Sequence, residues 1–249
     1  MFIVWGRKIV RRKLGFVADF CPICRAVTAH RLGRIGSAGH VYYVSFGEGR
    51  LVGHERTCQH CKTTSMTEES RYGTPEKKLA AVEMLIIKTF PTIRAHYADR
   101  LELENRIKLG PTHVTAEERS ALIASPFLVL SQMVEERFAR TQIDRYGALA
   151  IGGTIAVLLA TSGIANRFAP DQLPEMVLTV LVVGLAIVVW QIVAGSKRYM
   201  SEEIVPRLAT ALRPLRPSPH EIRGVLAELT AHKHKLGKKV DPKLLVSAM

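Results

Sequence analysis

The chain has 249 residues, 47% of them apolar, and a net charge of +13 with a pI near 9.9. Those averages resemble an ordinary soluble protein, but the distribution excludes that reading for the whole chain: two blocks carry almost no charge, and the remainder is rich in Lys, Arg and Glu. Residues 1–75 hold 12 basic and 5 acidic side chains and residues 200–249 hold 9 and 5, so the excess sits at the two ends and suits nucleic acid, anionic lipid heads or a cytoplasmic face.

Taken in chain order, residues 1–66 read as β. Phe2–Trp5, Lys8–Val10, His40–Ser45 and Leu51–Val52 are short and rich in β-branched and aromatic residues, with Gly47-Glu48-Gly49 as a hairpin turn. Phe2–Trp5 is too short for a signal-peptide core, and Arg7, Lys8, Arg11, Arg12 and Lys13 follow at once. Thr74-Pro75 is the expected start of a helix carrying Leu79, Val82, Leu85, Ile86, Phe90 and Ile93 at helical spacing, broken at Pro91. Gly110-Pro111 ends the next stretch. Thr115 to Glu118 is a capping box for a helix toward Arg145, interrupted at Ser125-Pro126. Arg213–Pro219, with three prolines in seven residues, reads as a linker. Ser218 caps a helix with Ile222, Val225, Leu226 and Leu229 on one face, Gly237 is the expected stop, and Asp241-Pro242 opens a last short helix.

Tyr146–Asn166 and Met176–Ser196 are uncharged runs of 21 residues each, the length a helix needs to cross a bilayer core of about 30 Å. Arg137, Arg140 and Arg145 flank one side and Lys197, Arg198 and Arg207 the other, while the connecting Arg167–Glu175 holds a single Arg. This asymmetry predicts a multi-pass protein of the inner (cytoplasmic) membrane with both termini cytoplasmic; Phe168, Trp190 and Tyr199 are candidate interface residues. No Asp, Glu, Lys, Arg or His lies within either run, which argues against a transporter or channel. Ala148, Gly152, Ala156 and Ala160 recur every four residues, a spacing that lets another helix approach closely, either a partner's helix or the second span.

All four cysteines fall in two C-x-x-C pairs, Cys21/Cys24 and Cys58/Cys61, with 33 residues between them. Each pair supplies two thiolates from one tight turn, and two pairs complete the tetrahedral shell of Zn²⁺, leaving no open position, so the site is expected to be structural. Arg25, Arg56 and Lys62 flank the pairs and would offset the charge of a tetrathiolate. A rubredoxin-like iron site is the rival, although the glycine that usually follows such turns is replaced by Arg25 and Lys62. Disulfides and a thioredoxin-like pair fit less well, because the expected compartment is reducing and no βαβ pattern surrounds either turn. His60 and the His232-Lys233-His234 clip are further metal-binding residue types without a vacancy or a second partner.

Met1 to Gly6, followed by Phe20 to Cys24, Tyr42-Tyr43 and the second C-x-x-C, resembles a family of bacterial zinc-ribbon proteins over residues 1–65. The resemblance implies a zinc ribbon with Cys21, Cys24, Cys58 and Cys61 as ligands, and no activity.

The expected fold is a small all-β zinc ribbon (1–66), an α-helical region (74–145), a two-helix transmembrane hairpin (146–196) and a basic helical C-terminal tail (197–249). Two functions fit it. The first is an accessory or scaffold subunit docked on other membrane-protein subunits. The second is a membrane-tethered nucleic-acid binder using Arg7, Arg11, Arg12, Lys13, Arg31 and Arg34, a run that anionic lipid also explains. An iron electron-transfer module follows from the rubredoxin rival. No phosphate-binding glycine loop, nucleophile elbow or open metal site points to an enzyme, and Glu117/Glu118 and Glu135/Glu136 sit beside Arg as solvated helix faces.

Overall fold

The computed structural model describes residues 5–41, 44–45, 47–110, 113–139, 144–168 and 173–249. Phe2–Val4, Tyr42, Tyr43, Pro111, Arg140 and the centre of the loop between the apolar runs therefore lie outside the described residues.

Strands β1 (Trp5–Cys21) and β2 (Ala26–Val41) form one long antiparallel hairpin, with Leu14 bulged out of β1 between Lys13 and Gly15. The two-residue β3 (Val44–Ser45) pairs with the end of β2, β4 (Arg50–Cys58) pairs along β2, and β5 (Thr64–Thr67) pairs with β4. Gly47 and Gly49 adopt positive φ between β3 and β4, as the turn reading requires. The strands far exceed the short segments expected. Residues 26–38 are rich in Gly, Ser and Ala and have little intrinsic β preference, but β2 is hydrogen-bonded on both edges, so its neighbours supply what its composition lacks.

Residues 74–81 do not form the expected helix. Phe16 N–H donates to Glu76 O (2.7 Å) and Glu76 N–H donates to Phe16 O (2.9 Å), an antiparallel bridge that holds this segment extended. Helix α1 (Val82–Thr89) starts later and ends before Pro91, as expected. Leu85, Phe90 and Ile93 are buried and Leu79 is exposed. Two further helices, α2 (Ile93–His96) and α3 (Ala98–Leu109), follow, and Gly110 caps the latter at positive φ. Helix α4 (Ala116–Ala139) begins with the predicted box: Thr115 N–H donates to Glu118 Oε2 (2.9 Å) and Glu118 N–H to Thr115 Oγ1 (3.2 Å). It runs through Pro126 without interruption. Leu122, Ile123, Phe127, Leu130 and Val134 are almost completely buried. Each such burial is worth about 1.5–3 kcal/mol, which together outweighs the roughly 3 kcal/mol a proline costs a helix interior.

The first apolar run forms α5 (Arg145–Phe168) and the second forms α6 (Leu173–Tyr199). Both are long and apolar enough to cross a membrane, and almost none of their surface is buried within the protein. They pack on each other through Gly184, where an added Cβ would stand 2.2 Å from Thr154 Cγ2. Ala148, Gly152, Ala156 and Ala160 are exposed and an added Cβ at Gly152 would meet nothing within 4 Å, so the small-residue stripe faces away from α6.

Helix α6 does not end at the last apolar residue. It passes through a π-helical turn, Met200–Ile204, into α7 (Val205–Leu212). Pro206 explains the turn: it has no N–H to donate and its ring crowds the preceding turn, and a wider turn relieves both. Helix α8 (Pro219–Ala231) has the complete Ser218–Glu221 box and buries Ile222, Val225, Leu226 and Leu229, as expected. Gly237 does not stop it. That residue lies within α9 (Lys235–Lys239), where a Cβ would come within 2.6 Å of Thr230 Oγ1, so the glycine permits α9 to lie against α8. Asp241 caps α10 (Pro242–Ala248) through Lys243 N–H at 2.9 Å.

One buried cluster joins Cys21, Ile23 and Cys58 of the sheet to α4, α7, α8, α9 and α10. A second packs α1 and α2 on β1 and β2 through Val17, Leu32, Leu85 and Ile93. The expected segments 1–66, 74–145 and 197–249 therefore share a core. Leu215 is buried in it and Pro217 is also buried, so residues 213–219 form a tight corner between α7 and α8 where a linker was expected.

Candidate metal centre

The four cysteines converge at the end of the sheet that joins the helical core. Two equivalent turns bring them there. After Cys21, Arg25 N–H returns to Cys21 O (2.7 Å); after Cys58, Lys62 N–H returns to Cys58 O (3.1 Å). Both Arg25 (φ 56°) and Lys62 (φ 59°) take the left-handed conformation that glycine usually supplies. Cys24 N–H also donates to Cys21 Sγ at 3.4 Å. The second turn is tied to the sheet by Cys58 N–H to Thr63 O and Gln59 N–H to Ala29 O, both 2.9 Å.

All four Sγ atoms lie within 4.8 Å of one another. Cys21 and Cys61 approach to 3.5 Å, and Cys24 and Cys58 to 3.7 Å. A disulfide needs about 2.05 Å, so these are free thiols. A tetrahedral ion with bonds of about 2.3 Å spaces its sulfurs about 3.8 Å apart, and the donor set fits a metal ion of that kind. Such a shell is closed on all four sides.

No protein-family model, curated protein or solved structure matches the chain.

The protonation of the bare thiols shows what an ion would do there. Hydrogen bonds from Cys21 and then Cys24 bring Cys61 down to about 6, and hydrogen bonds from Cys21, Cys24 and Cys61 push Cys58 lower still. Cys21 is raised, first by its contact with Cys24. Cys24 is raised by Cys58 and Cys61 although its bond to Cys21 works the other way. Four adjacent thiolates repel one another; a cation at the centre would remove that repulsion and let all four ionise.

Around the sulfurs stand three groups that the sequence reading assigned no such part. Thr28 Oγ1 is 3.3 Å from Cys58 Sγ, Thr63 Oγ1 is 3.3 Å from Cys61 Sγ, and His60 Nδ1 is 3.4 Å from Cys24 Sγ. The Cys61 thiol donates to Thr63 Oγ1, while Thr28 and His60 can donate to a thiolate, the usual task of groups behind metal ligands. Thr63 stands two residues after Cys61, a proximity visible in the sequence, whereas Thr28 reaches Cys58 only through the pairing of β2 with β4.

Two of the flanking cations also have acidic partners of their own. Arg25 makes a buried ion pair with Glu104 of α3 (2.8 Å) and donates through Nη1 to Ala211 O of α7 (3.1 Å). Arg56 pairs with Asp19, which is fully buried and also accepts from Tyr72, from Tyr97 Oη (2.9 Å) and from Phe20 N–H (2.7 Å). The first set fixes the turn to the helices and the second fixes the α1–α3 layer to the sheet.

The basic run is likewise divided. Strand alternation puts Arg7, Arg11 and Lys13 on one face of β1 and Arg12 on the other. Arg11 pairs with Glu55 (2.9 Å) and Glu136 (3.1 Å), Arg12 with Glu48 (2.6 Å), and Lys13 Nζ lies 4.1 Å from the Phe16 ring centre. Arg34 donates to the carbonyls of Glu48 and Gly49. The acidic pairs have structural partners too: Glu118 binds Arg106, and Glu135 accepts from Lys235 N–H at 2.6 Å. His232 and His234 turn to separate partners, Glu228 O and Ser131 Oγ, and do not form a clip.

Proposed function

We propose that this is a non-enzymatic, membrane-anchored zinc-ribbon protein that serves as an accessory or scaffold subunit of a larger membrane complex. One observation carries the reading: the second apolar helix continues without a break into the core that holds the cysteine cluster, while the surfaces of both apolar helices stay uncovered. A hairpin of this kind fixes a rigid body at a set height and angle over a bilayer.

In this reading, Cys21, Cys24, Cys58 and Cys61 hold a structural Zn²⁺, which knits the end of the sheet together; the resemblance of residues 1–65 to zinc ribbons agrees with that choice. Helices α5 and α6 span the inner membrane, with both termini on the cytoplasmic side because the basic flanks are there. The outward stripe of Ala148, Gly152, Ala156 and Ala160 is free to meet a helix of another subunit. Ion pairing of Arg11 and Arg12 within the chain weighs against a tethered nucleic-acid binder.

Extraction in a mild detergent, followed by sizing and mass spectrometry of what co-purifies, tests this directly. A large complex of fixed stoichiometry is expected, with one zinc per chain and no visible absorption. A lone 27.6 kDa protomer, or one carrying nucleic acid, would overturn the subunit reading. A coloured protein containing iron would replace the zinc assignment with an electron-transfer centre.

A further inference from the structure

We infer that the far end of the β1–β2 hairpin is a second, peripheral membrane contact, in which Trp5, Ile9 and Val44 enter the lipid interface and Arg7 and Arg50 meet anionic headgroups. The inference rests on the membrane reading above and adds a site to it.

Register puts these five side chains on one face. Ile9 pairs with Ser37, which pairs with Arg50 on β4; Trp5 pairs with Val41, which pairs with Val44 on β3. Directly paired residues share a face, and residues two apart along a strand share it as well, so Arg7 joins them. Trp5 is 81% exposed and Val44 62%. Arg7 and Arg50 are exposed, and neither makes an ion pair among the described residues. Exposed aromatic and aliphatic side chains interleaved with unpaired cations are what an anionic bilayer surface accommodates.

The rest of the fold says where that face points. At the cysteine end, Arg25 reaches Ala211 of α7. Ten residues back from Cys21, Arg11 reaches Glu136 near the end of α4, and Arg11 and Arg31 line one cleft of about 370 Å³ with Arg137, Tyr199 and Glu203. From Ala211 back to Tyr199 the helix advances about 18 Å toward its apolar part. Strand β1 therefore runs in the same direction, from the core toward the level at which α6 becomes apolar. Trp5 lies six residues beyond Arg11, a further 20 Å or so. Arg11 and Arg31 belong to the face that lines the cleft, and by the same alternation so do Trp5, Arg7 and Ile9. The tip thus presents its apolar and cationic side chains beside the α5–α6 hairpin at headgroup level or below it.

Trp5 and Trp190 are the two tryptophans, so the full chain with Trp190→Phe reports on Trp5 alone. It is reconstituted into vesicles of phosphatidylcholine, with or without one-third phosphatidylglycerol, using lipids brominated near the glycerol end of their acyl chains. In the anionic vesicles Trp5 emission is expected to shift to the blue and to lose about half its intensity to the brominated lipid, as for an interfacial tryptophan. Arg7→Glu with Arg50→Glu should abolish that quenching while the protein stays resistant to alkaline extraction. Emission as in water, open to iodide and indifferent to bromolipid, in a protein that remains resistant to extraction overturns the tip contact alone. A protein removed by alkali overturns both the tip contact and the membrane reading.

Discussion

On α4, Leu122, Phe127 and Leu130 are almost completely buried, whereas on α5 and α6 Leu149, Leu159, Leu178 and Leu185 are more than half exposed. The chemistry of these side chains is the same, and their surroundings differ. In the body, apolar faces meet polar ones on each helix, and the cores they build are closed by caps and buried ion pairs. In the hairpin the apolar residues run all round both helices, so two helices cannot cover each other. The difference teaches that one chain can cover apolar residues by its own packing where charges alternate with them, and where they do not is left with two helices long and apolar enough to cross a membrane.

The largest expected effect separates the two regions outright. Cys21→Ser or Cys58→Ser should lose the bound metal and the cooperative melting of the body, since structural zinc is worth on the order of 10 kcal/mol. The hairpin should still be retained in vesicles. Metal analysis and circular dichroism read the first, flotation the second; a mutant body that melts normally would break the proposed division. Reporter fusions at each end should both read as cytoplasmic, and an external N-terminus would reverse the orientation.

Next in size is a contrast within the metal centre. Arg25→Gly relieves a left-handed backbone but removes one of the two arginines paired with the buried Glu104, leaving only Arg100 at 3.0 Å, and should cost about 1–3 kcal/mol in denaturant melts. Lys62→Gly relieves the same conformation at an exposed position and should be neutral or stabilising by up to about 1 kcal/mol. Equal effects would mean that the Arg25–Glu104 pair does not fasten sheet to helices. In the hairpin, Gly184→Leu should disturb the α5–α6 contact by about 1–3 kcal/mol through overpacking. Gly152→Leu, on the outward stripe, should leave the hairpin intact and weaken only assembly with another subunit, read by the size of the detergent-extracted complex.

The smallest effect is one of pH. The Arg119 guanidinium holds Glu221 down to about 2, from an ordinary value near 4.5. A depressed carboxyl stabilises the fold above its unfolded pKa, and that contribution is lost as pH falls from about 4.5 through 2. Glu221 is about a third exposed to solvent, so the amount is on the order of 1 kcal/mol or less after screening. Glu221→Gln should flatten the acid side of the stability curve in that window, and an unchanged curve would show that the contact between α4 and the start of α8 does not depend on this pair.

Local patterns were legible in the sequence wherever their physics is local. The two C-x-x-C turns, the Thr115 and Ser218 capping boxes, the break at Pro91 and the two apolar runs each follow from spacing within a few residues, and each is present. What depends on distant partners was not legible. A bridge from Glu76 to Phe16 cancelled a helix start, burial carried α4 through Pro126, and central placement in the sheet made a strand of a glycine-rich segment. Arg11 and Arg12 look like a cationic patch until Glu55, Glu136 and Glu48 arrive from other elements. By itself the sequence determined the four-cysteine cluster that could hold a metal ion and the two apolar lengths, because coordination number and bilayer thickness are fixed quantities that a pattern either meets or misses. Only the tertiary structure decided that the cysteine cluster, the tail and the continuation of α6 share one core, because the contacts that join sheet to tail link residues more than a hundred positions apart, as Arg25 with Ala211.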